Sequence, residues 1–203
     1  MRPNQIIFIR HGEKVNKAGQ IEPIHLSENG IIRANELVNF FRNHRPSKIN
    51  IPNIIVAMKQ SKKGKDSSNR PVESVTPLAD FYRLPVIANH IVSEVDEEAY
   101  QINDIGEDKN VLVCWEHKYM VSIAQILGAP VEYWGLEPSI DDDNGGDCFD
   151  AIWVLTKDTN GDIDFDVFRQ FSVAENGIIS YNNVSEEPIL SMTIPKPKKH
   201  HKH

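Results

Sequence analysis

Four short runs rich in valine and isoleucine, at residues 5–9, 53–57, 110–115 and 151–156, restrict what this chain can fold into. Each is bounded by polar or turn residues, the signature of a buried strand. Between them the apolar residues fall at helical spacing. Residues 28–42 place Ile31, Ala34, Leu37, Val38 and Phe41 on one face, with Ser27 positioned to cap the first turn. Residues 71–82 predict a second helix that starts with Pro71, and Pro77 predicts a kink or an early break inside it. Residues 117–127 run into Gly128, a natural helix stop. Strands alternating with helices predict an α/β three-layer sandwich around a largely parallel central sheet. Asn160-Gly161 predicts a hairpin turn between strands at 152–157 and 163–171.

A chain of 203 residues supports one domain with a sizeable core. The domain is placed at residues 1–190 and a disordered tail at 191–203, because 195–203 is rich in Pro, Lys and His and cannot bury apolar surface. Residues 139–146 predict a mobile surface loop. No apolar run approaches the roughly 18–20 residues of a membrane span. Arg2-Pro3 and the brief apolar run that follows do not make a secretory signal, so a cytoplasmic protein is expected. Neither Cys114, read as a small buried hydrophobe, nor Cys148 calls for a disulfide. Asp158, Asn160, Asp162 and Asp164 alternate as in a calcium loop. The glycine at its sixth position and the glutamate at its twelfth are missing, so a plain turn is expected.

The formal net charge of −7 argues against a nucleic-acid partner, which needs a basic face. Charge is nevertheless uneven. Lys59, Lys62, Lys63, Lys65 and Arg70 cluster mid-chain, and Asp141, Asp142, Asp143 and Asp147 cluster later. An acidic protein can still build a local positive pocket for an anion.

The residues suited to chemistry lie near the predicted strand ends, where open α/β sheets bind ligands. Arg10-His11-Gly12-Glu13 closes the first strand, Ser68-Asn69-Arg70-Pro71 follows the second, and Trp115-Glu116-His117 ends the third. A neutral imidazole is a competent nucleophile toward phosphorus, and a guanidinium holds two phosphate oxygens at once. Two arginines neutralise oxygens whose charge shifts in the transition state, one histidine attacks, and a second hydrogen-bonds the oxygens.

Over residues 5–156 the sequence resembles the histidine phosphatase superfamily, also called phosphoglycerate mutase-like proteins. Arg10-His11-Gly12-Glu13 is similar to the motif that carries the phosphorylated histidine. Leu26-Ser27-Glu28-Asn29-Gly30 with Arg33-Ala34 is similar to the family's Leu-Thr/Ser-x-x-Gly-x-x-Arg-Ala element. Arg70 and Ser74 match its second helix, and His117 its second histidine. Trp115-Glu116-His117 departs from the usual Ser-His-Gly or Gly-His. It resembles a less typical subgroup with Trp-Glu-His, in which an aspartate-rich segment precedes a strand like Phe149-Asp150-Ala151-Ile152-Trp153. Asn16 stands one place short of the asparagine often found after the opening motif.

The resemblance implies a phosphoglycerate mutase-like fold, a phosphohistidine on His11, a small phosphorylated substrate, and neither a cofactor nor an obligatory metal. It also implies a carboxylic acid after the family's own third strand, ahead of the run at 110–115, to protonate the leaving oxygen. Glu94 is chosen, with Asp96 and Glu116 as rivals. Acidic residues that merely begin a helix account equally for Glu94, Asp96, Glu97 and Glu98. A phosphatase is ranked above a mutase because the chain is short, and a non-catalytic phospho-ligand module is the other alternative. Loops 59–68 and 139–147 are the expected sources of specificity; the substrate's identity and the oligomeric state are left open.

Overall fold

The first apolar run becomes β1 (Gln5–Arg10), and all six of its residues are buried. Burial on both faces and both edges follows from its position. β4 (Asn110–Trp115) lies parallel along one edge and β5 (Ala151–Lys157) antiparallel along the other. β2 (Ile54–Ala57) and β3 (Val86–Ile87) extend the sheet beyond β4. β6 (Ile163–Arg169) and β9 (Leu190–Ile194) extend it beyond β5, giving the order β3-β2-β4-β1-β5-β6-β9. β7 (Ser172–Val173) and β8 (Ile179–Ser180) form a separate two-stranded ribbon. This is a computed structural model, and it describes residues 2–15, 24–62, 67–137 and 148–197. Asn16, Lys63, Lys65, the acidic cluster 141–147, loop 139–146 and residues 198–203 lie outside them.

β1 to β4 run parallel and β6 points the same way, so five of seven strands share one direction. β5, the fourth strand read from the sequence, runs against β1. A short apolar run looks the same in either direction, and here the hairpin to β6 sets the local pattern. At that hairpin Asp158 Oδ1 accepts from the Asn160 and Asp162 amides at 2.8 and 2.9 Å, and Gly161 takes φ +86°. The aspartate thus closes a turn.

Among the described residues four helices cover the sheet: α1 (Glu28–Asn39), α2 (Arg70–Tyr82), α3 (Val95–Asn103) and α4 (His117–Ile126). α1 runs on into a wide π turn at Phe40–His44. Alternate residues of β1 sort onto opposite sides. Ile7 and Ile9 pack with Leu37 of α1 and Val75 and Leu78 of α2, whereas Ile6 and Phe8 pack with Ala99 of α3 and Ile123 of α4. Ser27 caps α1 as expected, its hydroxyl accepting from the Gly30 amide. Gly128, at φ +101°, ends α4.

Two expectations need correction. α2 continues through Pro77 to Tyr82. Proline removes one intrahelical bond, and buried Val75, Leu78 and Ala79 anchor the helix on both sides of it. The folded unit also extends past residue 190. β9 pairs with β6 from Leu190 to Ile194, and both of those residues pack on the core. The strand is short and its solvent face polar, so it reads as tail in the sequence. Cys114 is buried, as expected. Among the described residues no helix is long and apolar enough to cross a membrane.

Candidate active site

β1 and β4 are neighbours, yet the chain leaves them toward opposite sides. β1 leads to α1 on one face and β4 to α4 on the other. Such a divergence opens a crevice at the carboxyl ends of the two strands. Arg10 pairs with Trp115 in the last register position. His11 therefore follows one strand, and Glu116 and His117 follow the other, about 5 Å away across the sheet.

His11 is 1% exposed. Its Nδ1 stands 2.8 Å from the Gly12 carbonyl. A carbonyl only accepts, so Nδ1 carries the proton and Nε2 keeps its lone pair. Burial, then the charges of Arg10 and Arg70, push the His11 pKa down to about 3, against opposing contributions from the Gly12 carbonyl and Glu116. The ring is therefore neutral at ordinary pH.

This depression has a consequence for stability. The unfolded chain protonates His11 near pH 6.5, and the folded one only near pH 3. The folded state binds fewer protons in that window, so the contribution of His11 is complete above about pH 6.5 and is lost as pH falls toward 3. Urea midpoints at pH 7 and pH 4 should differ more in the wild type than in His11→Gln. An equal acid loss in both proteins would contradict the assignment.

Arg70 opens α2 and is also buried. Ser74, one turn on, ties this helix to the β1 loop. Its hydroxyl donates to the Arg70 carbonyl at 2.7 Å and accepts from the Gly12 amide at 2.7 Å. Close approach also requires glycine at two places. A Cβ on Gly12 would sit 3.1 Å from Gly30 Cα, and one on Gly30 would collide with the Glu13 carbonyl.

Glu13 is held by Arg33, whose Nε and Nη2 donate to its carboxylate at 2.7–3.0 Å. Arg33 Nη1 donates to the Phe171 carbonyl at 3.0 Å and to Gln170 Oε1 at 3.3 Å. The arginine of the α1 element thus braces the loop that carries His11.

On the other strand end, Glu116 caps α4, accepting from the Lys118 and Tyr119 amides at 3.0 and 3.1 Å. Its Oε1 lies 2.8 Å from His117 Nδ1. Burial pushes the Glu116 carboxyl up, but His117, the Tyr119 amide and His11 outweigh it and hold it below the usual range. Glu116 thus feels both histidines.

Arg10 and His117 line a cleft of about 1210 Å³ together with Lys14, Ser27, Phe149 and Arg169. The structure brings Arg10 and Arg70 each within electrostatic range of His11 and sets His117 in the same cleft as Arg10. Glu94 joins none of these contacts. It precedes α3, and its Oε2 accepts from the Ile91 amide at 2.7 Å. Asp96, Glu97 and Glu98 fall in the first turn of α3, where the helix dipole favours acids. Sequence reasoning quoted Phe149 only as part of a strand, yet its ring lies 4.0 Å from the Arg10 guanidinium. Residues 110 to 170 give no sequence signal for that approach.

No family model and no curated protein matches this chain. Solved structures are similar to it. One is the protein histidine phosphatase SixA complexed with tungstate, 18% identical, covering 77% of this chain and 90% of that one, with a TM-score of 0.48. Another is phosphoserine phosphatase from Entamoeba histolytica, 12% identical over 75% and 90%, with a TM-score of 0.42. A third is phosphoglycerate mutase from Plasmodium falciparum, 12% identical over 93% and 96%, with a TM-score of 0.43. Likenesses of this degree carry no functional argument, which stands on the side chains.

Proposed function

We propose that this chain is a histidine phosphatase that hydrolyses a phosphomonoester through a phosphohistidine on His11, without a metal. The observation that carries the reading is the state of His11: a neutral ring with its proton held on Nδ1 and two guanidiniums close by. The overall arrangement would then be the phosphoglycerate mutase-like three-layer sandwich, in the subgroup marked by Trp115-Glu116-His117. The same reading makes it a cytoplasmic protein acting on a small phosphorylated substrate.

In the first step Nε2 of His11 donates its lone pair to phosphorus, and the bond from phosphorus to the ester oxygen breaks. The leaving oxygen takes that electron pair and a proton. Arg10 and Arg70 neutralise the phosphoryl oxygens, which supplies the positive charge the transfer needs. Water then attacks the phosphohistidine, the bond from phosphorus to Nε2 breaks, and water's proton returns to the group that protonated the leaving oxygen, so phosphate leaves with His11 and the donor restored. A mutase would instead return the phosphoryl group to a second position on the substrate.

Sequence position nominates Glu94 as the proton donor. A specific observation favours a second assignment, His117, because it lines the cleft and its Nδ1 lies 2.8 Å from Glu116 Oε1. Steady release of inorganic phosphate from an aryl phosphate tests the main reading, and its absence would leave only a phospho-ligand binding module. Leaving groups separate the two donors. Loss of the true donor should lower kcat/KM for an alkyl phosphate about 100-fold or more, and much less for an aryl phosphate whose leaving oxygen needs little protonation. If Glu94→Gln shows that pattern and His117→Asn does not, the His117 assignment is wrong.

A further inference from the structure

The Arg10 guanidinium lies over the Phe149 ring, 4.0 Å from its centroid, and the same ring stands 6.3 Å from that of His11. A cation over an aromatic face at this distance is attracted to it. The geometry matters as much as the attraction. Stacking engages the flat face of a guanidinium, whereas its N–H donors point outward in the plane. An aromatic ring therefore restrains the plane without competing for the donors. A carboxylate in its place would take the donors and cancel the charge.

The backbone that carries the ring is also held. The Phe149 carbonyl accepts from Gln170 Nε2 at 3.4 Å, and the next residue's carbonyl accepts from the Gln170 amide at 2.7 Å. Asp150 pairs with Arg169 at 2.8 Å. Gln170 is buried, and its Oε1 accepts from Arg33, which holds Glu13. A chain of contacts thus runs from Glu13 through Arg33 and Gln170 to Phe149, and back to Arg10 at the mouth of the same cleft.

We infer that Phe149 is a positioning residue of this site: its ring fixes the plane of Arg10, so that the in-plane donors are presented to a phosphoryl group bound beside His11. The inference rests on the phosphoryl-transfer reading above. It makes Phe149 act through Arg10, with no contact to the reacting atoms required.

Binding of inorganic phosphate, followed by calorimetry, tests it without turnover. Phe149→Leu and Phe149→Met should each weaken phosphate binding about 3- to 30-fold, the range expected for a lost cation–π contact. Phe149→Tyr, which keeps the face, should stay within about twofold. In an Arg10→Lys background there is no planar fork to orient, so the same ring removal should cost less than about twofold. The pair of aliphatic variants protects the test, since the loss is read on whichever folds with a native thermal midpoint. Unchanged binding in the folded variant, or an equal loss in the Arg10→Lys background, overturns the role of the ring alone. A wild type that binds no phosphate overturns the phosphoryl-site reading and this inference with it.

Discussion

His11→Ala should abolish phosphate release and the covalent phosphoenzyme together. The fall in kcat is expected to be about 1,000-fold or more, the order seen when a nucleophile is removed from a site whose other groups remain. The variant keeps Arg10 and Arg70, so it should still bind inorganic phosphate. That separates loss of chemistry from loss of the pocket. The adduct itself has a chemical signature: a phosphoramidate on imidazole is acid-labile and survives base. Quenching a reaction with a radioactive phosphodonor in acid and in base, in wild type and variant, reads all of this at once. Turnover in His11→Ala within about tenfold of wild type would falsify the mechanism. The pH dependence has a definite sign as well. With its pKa near 3, His11 keeps its lone pair from neutral pH down to about pH 4, so loss of activity on mild acidification must come from another group.

The second large effect is on stability. Arg33→Ala should destabilise the fold by about 3–5 kcal/mol, the usual cost of removing one partner of a buried ion pair. Arg33 is 4% exposed, and its loss leaves Glu13 charged without its partner beside the His11 loop. It also removes donors from the Phe171 carbonyl and Gln170. For a chain of this size each kcal/mol moves the thermal midpoint by roughly 2–4 °C, so a drop on the order of 10 °C is expected. Arg33→Lys should recover little, because a single ammonium cannot reproduce the three-way fork. A midpoint within about 2 °C of wild type would show that the Glu13–Arg33 pair is dispensable.

Much of this was legible before the structure. The strands at β1, β2, β4 and β5 were read to within one residue at their ends, because a buried strand must be apolar along its length. His11 and His117 stand at the strand ends from which the sequence nominates them. The direction of β5 was not legible, since alternation and hydrophobicity are blind to polarity. Nor was β9, whose exposed face hides its pairing with β6. Glu94 shows a different limit. Acidic residues gather at helix starts for electrostatic reasons, so composition alone cannot separate a proton donor from a residue closing a turn. Phe149 shows a third: it meets Arg10 because β5 pairs directly with β1, and nothing local encodes a contact between residues so far apart in sequence.

His11 and His117 follow the ends of two neighbouring parallel strands, β1 and β4, while Phe149 reaches the cleft from the segment before β5 and Arg169 from the end of β6. The cleft is thus walled by side chains far apart in sequence, and its wall is complete only once β5 and β6 have docked beside β1.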